Sequence, residues 1–254
     1  MTFWDLAKAV YRGSWRSLFA LPLLALVPVV VELVQHAIEV HVGMYDSPAM
    51  AEATNAHPAR LVFGFVKVLA AMLPGYWVVR WLAWRDAQAA VRFDPLAASL
   101  FAGMLAVHAV WAGLGLIFQP SGWGQIFASM AVGEALTALL LGWAVAAALG
   151  NAAIGPRASL RIMRPQVLWT MAFLFVTMLP LLIVHNLMGV AAVFGPHWAL
   201  WPILIIDALL VGWIAALIAA ANWFAAERAA RMAGVELVPP RVDEDAGQTP
   251  RYAA

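Results

Sequence analysis

Residues 17–40 read SLFALPLLALVPVVVELVQHAIEV, an apolar run interrupted by Glu32, His36 and Glu39. A membrane-spanning helix needs about 20 predominantly apolar residues, and this run supplies them. Five more runs of the same kind follow, at 60–83, 96–118, 125–149, 167–194 and 199–224. The chain of 254 residues is 64% hydrophobic and 11% charged, whereas soluble domains carry roughly 25% charged residues. A single soluble core of this length could not hide that much apolar surface. The expected fold class is therefore all-α: a polytopic membrane protein with six transmembrane helices and the lipid bilayer as its principal partner.

The basic residues alternate by loop. Lys8, Arg12 and Arg16 precede the first run, Arg80, Arg85 and Arg92 flank the end of the second, Arg157, Arg161 and Arg164 follow the fourth, and Arg228 and Arg231 follow the sixth. The other three connections hold only Arg60. Positively charged loops stay cytoplasmic, so both termini are expected on the cytoplasmic side. The net charge of +1 is spread over these loops and pooled nowhere, so nucleic acid is not an expected partner. No cysteine is present, which excludes disulfides, thiolate catalysis and cysteine-ligated metals.

The chain divides into three regions. Residues 1–16 carry Trp4, Tyr11 and Trp15 among basic residues, the pattern of an amphipathic helix lying on the membrane surface. With no small-residue cleavage site following, the first span is expected to be uncleaved. Residues 17–232 form the six-helix domain. Residues 233–254, with the polar, proline-broken stretch from Pro239, read as a disordered cytoplasmic tail.

Gly75-Tyr76, Gly142-Trp143 and Gly212-Trp213 recur at similar places in the even-numbered spans. This suggests an internal repeat of three hairpins around a pseudo-threefold axis. The turns at 119–124 and 195–198 are rich in Gly and Pro, as antiparallel neighbours require. Trp81, Trp84, Trp169 and Trp223 at one boundary, and Trp123, Trp198 and Trp201 at the other, fit aromatic belts. Pro22, Pro28, Pro74 and Pro180 fall inside spans and predict bends. The alanine-rich runs at 144–153 and 215–223 predict close helix packing in the cytoplasmic half.

The functional signal lies in the polar residues inside the spans. Glu32, Lys67, His108, Glu134, His185 with Asn186, and Asp207 all fall roughly 10–15 Å below the outer boundary, counted at 1.5 Å per residue. His36 sits one turn beyond Glu32, and Glu39 extends the stripe outward. An ionisable side chain at the centre of a spanning helix costs about 2.5–3.5 kcal/mol, so such groups mark functional sites by default. Lys67 and Glu134 occupy repeat-related positions and are expected to pair. Glu134, Glu32 and Asp207 face only Lys67, leaving two acids in need of a proton, a cation, an imidazolium or water. The predicted site is an outward-facing polar cavity of Glu32, His36, Lys67, His108, Glu134, His185, Asn186 and Asp207, for transport or binding of a small solute, a cation or a proton.

Metal binding is a weaker reading. Glu32 and His36 have i, i+4 spacing, but there is no H-E-x-x-H and further ligands would have to converge from separate spans; no metal and no cofactor is expected. Hydrolase and nucleotide motifs are absent, and the chain reads as non-enzymatic. Two other readings stay open: a structural or partner-binding subunit contacting a protein or lipid, and an intramembrane enzyme acting on lipid.

Phe3-Trp4, Ala7, Tyr11-Arg12, Trp15 and Leu18, followed by a proline-bearing first span, resemble the start of bacterial six-helix membrane proteins related to the membrane domain attached to some glycerophosphodiesterases. The resemblance covers the N-terminal segment and the six-span layout, without a catalytic motif. It implies a helical bundle in a bacterial inner membrane.

Overall fold

Proline punctuates this chain. It lacks a backbone N–H and fixes φ, so it is well placed in the first turn of a helix and disfavours helix in the residue before it. In the computed structural model, which describes residues 2–117 and 122–239, Pro22, Pro48, Pro58, Pro95 and Pro156 each begin a helix. The order is α1 (Phe3–Ala20), α2 (Pro22–His41), α3 (Pro48–Thr54), α4 (Pro58–Met72), α5 (Gly75–Trp84), α6 (Ala87–Val91), α7 (Pro95–Ile117), α8 (Trp123–Ala148), α9 (Pro156–Met163), α10 (Val167–Phe194) and α11 (Leu200–Met232), with no strand among the described residues. Six stretches are long and apolar enough to cross a membrane: Pro22–His41, Pro58–Trp84, Pro95–Gly115, Gly124–Ala148, Pro156–Phe194 and His197–Met232. The protein is an all-α, multi-pass membrane protein.

The prolines act in two ways. Pro22 and Pro74 interrupt helices, Pro74 splitting the second span into α4 and α5, while Pro28 and Pro180 lie inside continuous helices. The first span accordingly starts at Pro22 and not at 17, because α1 runs on to Ala20 before Leu21 leaves the helical region at φ −136°.

That longer α1 is built into the bundle, whereas the amphipathic pattern alone suggests a helix resting on lipid. Thr2 caps it, accepting from the Asp5 N–H while the Asp5 carboxylate accepts from the Thr2 N–H, a capping box. Leu6, Val10, Gly13, Ser14 and Ser17 are buried along the face against α11. Tyr11 donates to the Thr177 carbonyl at 2.8 Å, and the Trp213 indole donates to Ser14 Oγ at 3.1 Å. Trp4, Trp15 and Phe19 remain exposed beside Lys8, Arg12 and Arg16, so the amphipathic character survives as one exposed, aromatic and basic face of a docked helix.

Helix α11 is the centre. It contacts α1, α2, α4, α5, α8, α9 and α10, and its small residues allow this. Ala219, Ala220 and Ala221 share the main core cluster with Ala146, Ala147 and Ala148 of α8, as expected where packing drives association. The three Gly–aromatic markers do not hold equivalent places: Gly75 begins α5, whereas Gly142 faces Ser159 of α9 and Gly212 faces Val29 of α2. Trp223, taken from sequence as a belt residue, is in the core at 4% exposure. Trp169 is stacked on Phe173 and lies 3.9 Å beneath the Arg228 guanidinium. Trp198 and Trp201 are exposed, as a belt requires.

At the arginine-rich end, one cation is structural. Arg80 is 2% exposed and donates to the carbonyls of Ala90 at 3.1 Å and Arg92 at 3.0 Å, between the rings of Tyr76 and Trp84. It thus fastens the α5–α6–α7 turn. Lysine cannot reproduce the planar fork, so Arg80→Lys is expected to cost about 2 kcal/mol, as for a hydrogen-bonded buried charge, measured by reversible unfolding in mixed micelles. The chain beyond α11 also packs at first: Leu237 is buried and Asn151 donates to its carbonyl at 3.0 Å. The region read as tail therefore begins later than 233; its part from 240 on, like residues 119–121 of the 119–124 turn, lies outside the described residues.

Candidate functional site

Four polar residues on α2 are spaced so as to share one side of the helix. Glu32, Gln35, His36 and Glu39 are all buried, Glu32 completely, which is the i, i+3, i+4, i+7 pattern of a single face. In an apolar helix such a stripe must meet polar partners on its neighbours. α4 brings Arg60 and Lys67, α10 brings His185, and α11 brings Asp207.

The contacts form one network. Lys67 Nζ donates to Glu32 Oε1 at 2.8 Å, and Arg60 Nε donates to Glu39 Oε1 at 3.0 Å. His36 stands in the middle. Its Nε2 is 3.2 Å from Asp207 Oδ2 and 3.5 Å from Glu32 Oε1, and its Nδ1 is 3.1 Å from Glu39 Oε2. His185 Nδ1 reaches Asp207 Oδ1 at 2.8 Å, and Gln35 donates to Glu39 Oε1 at 2.9 Å. Tyr45, from the loop after α2, donates to Glu39 Oε2 at 2.5 Å. Burial and the Glu39 carboxylate push its phenol far above the ordinary value, so it stays a neutral donor.

The charges nearly cancel. Three acids, Glu32, Glu39 and Asp207, meet two fixed cations, Lys67 and Arg60. Both nitrogens of His36 face carboxylate oxygens, so the ring satisfies both contacts by itself only when both carry protons. Two acceptors are left over: Glu32 Oε2 and Gln35 Oε1 are buried and have no hydrogen-bond donor among the described residues. A buried acceptor without a partner costs about 1–3 kcal/mol. The cluster is thus acceptor-rich.

A cavity of about 400 Å³ opens onto it, lined by Glu32, His36, Lys67, His185 and Asp207 and, toward the α2–α3 connection, by Tyr45. That end of the bundle is opposite the arginine-rich one. A neighbouring space of about 270 Å³ shares Gln35, Arg60 and Lys67 as its wall and reaches α7 at Ala112. Beyond the cluster, the bundle closes through the alanine contacts of α8 and α11.

Of the residues picked out from sequence, Glu32, His36, Lys67, His185 and Asp207 are brought together. Asn186 lines the cavity, but its amide donates to Leu182 within its own helix at 2.7 Å. His108 is half-buried on α7 and its Nδ1 lies 3.0 Å from the Met104 carbonyl of the same helix, so it lies outside the network. Glu134 is exposed on α8. The expected Lys67–Glu134 pair does not form: Lys67 lies on α4, which packs on α2, α5, α7 and α11, while α8 meets that span through α5 and otherwise packs on α7, α9, α10 and α11. Lys67 therefore meets Glu32.

Gln35, Glu39, Tyr45 and Arg60 complete the site and were not in the predicted set. Signals for two of them were present: Glu39 continues the Glu32–His36 stripe, and Arg60 is the only Lys or Arg in the three connections otherwise without basic residues. No protein family, curated protein or solved structure matches the chain.

Proposed function

We propose that the protein binds a small cationic solute or metal ion in its carboxylate–histidine cavity, from the outer face of a bacterial inner membrane. The observation that carries the reading is the surplus of acceptors: three buried acids around one cavity, with Glu32 Oε2 and Gln35 Oε1 unpartnered. Ionisable groups held at membrane depth without full internal pairing point to a ligand or pathway. The arginine-rich loops support placing the opposite, cavity-bearing end outside and both termini in the cytoplasm. The alanine packing beneath the cluster favours binding over passage.

The volume falls in the range of small-molecule sites, about 300–1,000 Å³. Putrescine, a compact dication, is a suitable probe, with butanediol as its neutral counterpart. A ligand at 100 times its Kd stabilises the folded state by about 2.7 kcal/mol. In nanodiscs, putrescine is expected to raise the unfolding temperature of the parent and not of Asp207→Asn, with butanediol inert in both. Equal shifts from the neutral compound would count against a cation site.

A second reading, a partner-binding subunit, has its own observation. Glu134 lies exposed on an apolar stretch of α8 with Met130 and Val132 exposed nearby, where bare lipid is an unfavourable neighbour for a carboxylate. A stable protein that co-purifies with the parent and is lost in Glu134→Leu would support it.

A further inference from the structure

We propose that Glu32, His36 and Asp207 form a site for a divalent transition-metal ion of the zinc type, with Glu39 as the carboxylate that orients the histidine. The inference deepens the cation-binding reading and rests on it.

The spacing is the first argument. One ligand atom from each of the three residues lies within 4.8 Å of the others, and all three side chains are buried. Two ligands bound tetrahedrally to zinc at about 2.0–2.1 Å stand about 3.3 Å apart. His36 Nε2 stands 3.2 Å from Asp207 Oδ2 and 3.5 Å from Glu32 Oε1. The convergence from separate helices that the sequence could not supply is thus provided by α2 meeting α11.

The second argument is independent of spacing. Glu32 is completely buried, yet its Oε2 has no donor among the described residues. Lys67 occupies only Oε1. An ion beside Glu32 would satisfy the second oxygen, and Lys67, whose side chain is about one quarter exposed, has the cavity in which to move aside.

The third argument is the shell behind the ligands. Metal-bound histidine normally gives its other N–H to a carboxylate, which fixes the tautomer and the ring plane. His36 Nδ1 meets Glu39 Oε2 at 3.1 Å, and Glu39 is itself held by Arg60, Gln35 and Tyr45. On the other side, His185 holds the second oxygen of Asp207 at 2.8 Å. Nε2 is thereby aimed at Glu32 and Asp207, where an ion would replace its proton.

The donor set chooses the metal class. One imidazole with two carboxylates suits zinc and its first-row neighbours, whereas calcium asks for 6–8 oxygens and magnesium for a near-ideal octahedron. Three protein ligands leave a fourth position toward the cavity, where water or a solute would bind.

The test uses the full chain in nanodiscs, stripped with EDTA and titrated with Co²⁺ and then Zn²⁺. The parent is expected to give the intense visible absorption of tetrahedral Co²⁺ at one ion per chain, discharged by Zn²⁺. His36→Gln should abolish that band and Glu134→Gln should leave it unchanged. Glu39→Gln, which keeps all three ligands, should weaken Zn²⁺ binding by about 10- to 100-fold. No such band in the parent would overturn the proposal whatever the variants do, as would Zn²⁺ affinity unaltered in a folded His36→Gln. A parent that fails with both metals but still responds to putrescine through Asp207 would lose the metal site alone. Failure with every probe would remove the cation reading as well.

Discussion

Lys67→Met is expected to destabilise the protein by about 3 kcal/mol, the low end of the cost of removing one partner from a buried ion pair. Glu32 is completely buried and Lys67 Nζ is its closest donor, at 2.8 Å. His36 Nε2, at 3.5 Å, offsets part of the loss, which is why the low end applies. Exchanging both residues, Lys67→Met with Glu32→Leu, should recover most of the stability, since an apolar pair of similar volume replaces a buried charge pair at little cost. The four unfolding free energies form a double-mutant cycle. A coupling near zero would show that Lys67 does not hold Glu32. The recovered double variant should nevertheless bind neither Co²⁺ nor Zn²⁺, separating the role of Glu32 in binding from its role in folding.

Gly212→Leu should be comparably severe, at about 3 kcal/mol for overpacking a tight contact. A Cβ at Gly212 would lie 2.6 Å from Val29 Cγ2 and 3.2 Å from the Ala25 carbonyl oxygen of α2. The side chain can turn, but the backbone of α2 can only move away. That helix carries Glu32 and His36, so displacing it pulls two proposed ligands from Asp207. Unfolding in mixed micelles and the Co²⁺ band should therefore report the same lesion. Gly103→Leu is the control, because nothing lies within 4 Å of a Cβ there; equal damage from both would refute the α2–α11 explanation.

Both variants probe how neighbouring helices meet α2, α4 in the first case and α11 in the second, and such contacts are where sequence reasoning thinned out. Hydropathy identifies a spanning helix because the bilayer forces every backbone polar group to be satisfied within the segment. The six spans follow from that one constraint. Counting residues along a helix gives depth, at 1.5 Å per residue, and so it gathered Glu32, Lys67, His108, Glu134, His185 and Asp207 at one level.

Depth is not direction. Whether a side chain points to the core or to lipid depends on which face each helix turns inward, and α7 and α8 have apolar residues all round, so no stripe reveals it. His108 and Glu134 lie on those two helices, and both miss the cluster. On α2 the polar stripe is itself the signal, and Glu32, His36 and Glu39 were legible as one face. The packing of α1 was not legible for a related reason: an amphipathic helix docked on a bundle and one resting on lipid share the same periodicity.

The sequence by itself determined a six-span helical membrane protein with ionisable groups inside its spans, because length and hydropathy answer to the bilayer alone. Which of those groups meet was decided only by the tertiary structure. Small residues on α11 let seven neighbouring helices pack against it, and that packing brings Asp207 to His36, leaves Glu134 at the surface and joins Lys67 to Glu32.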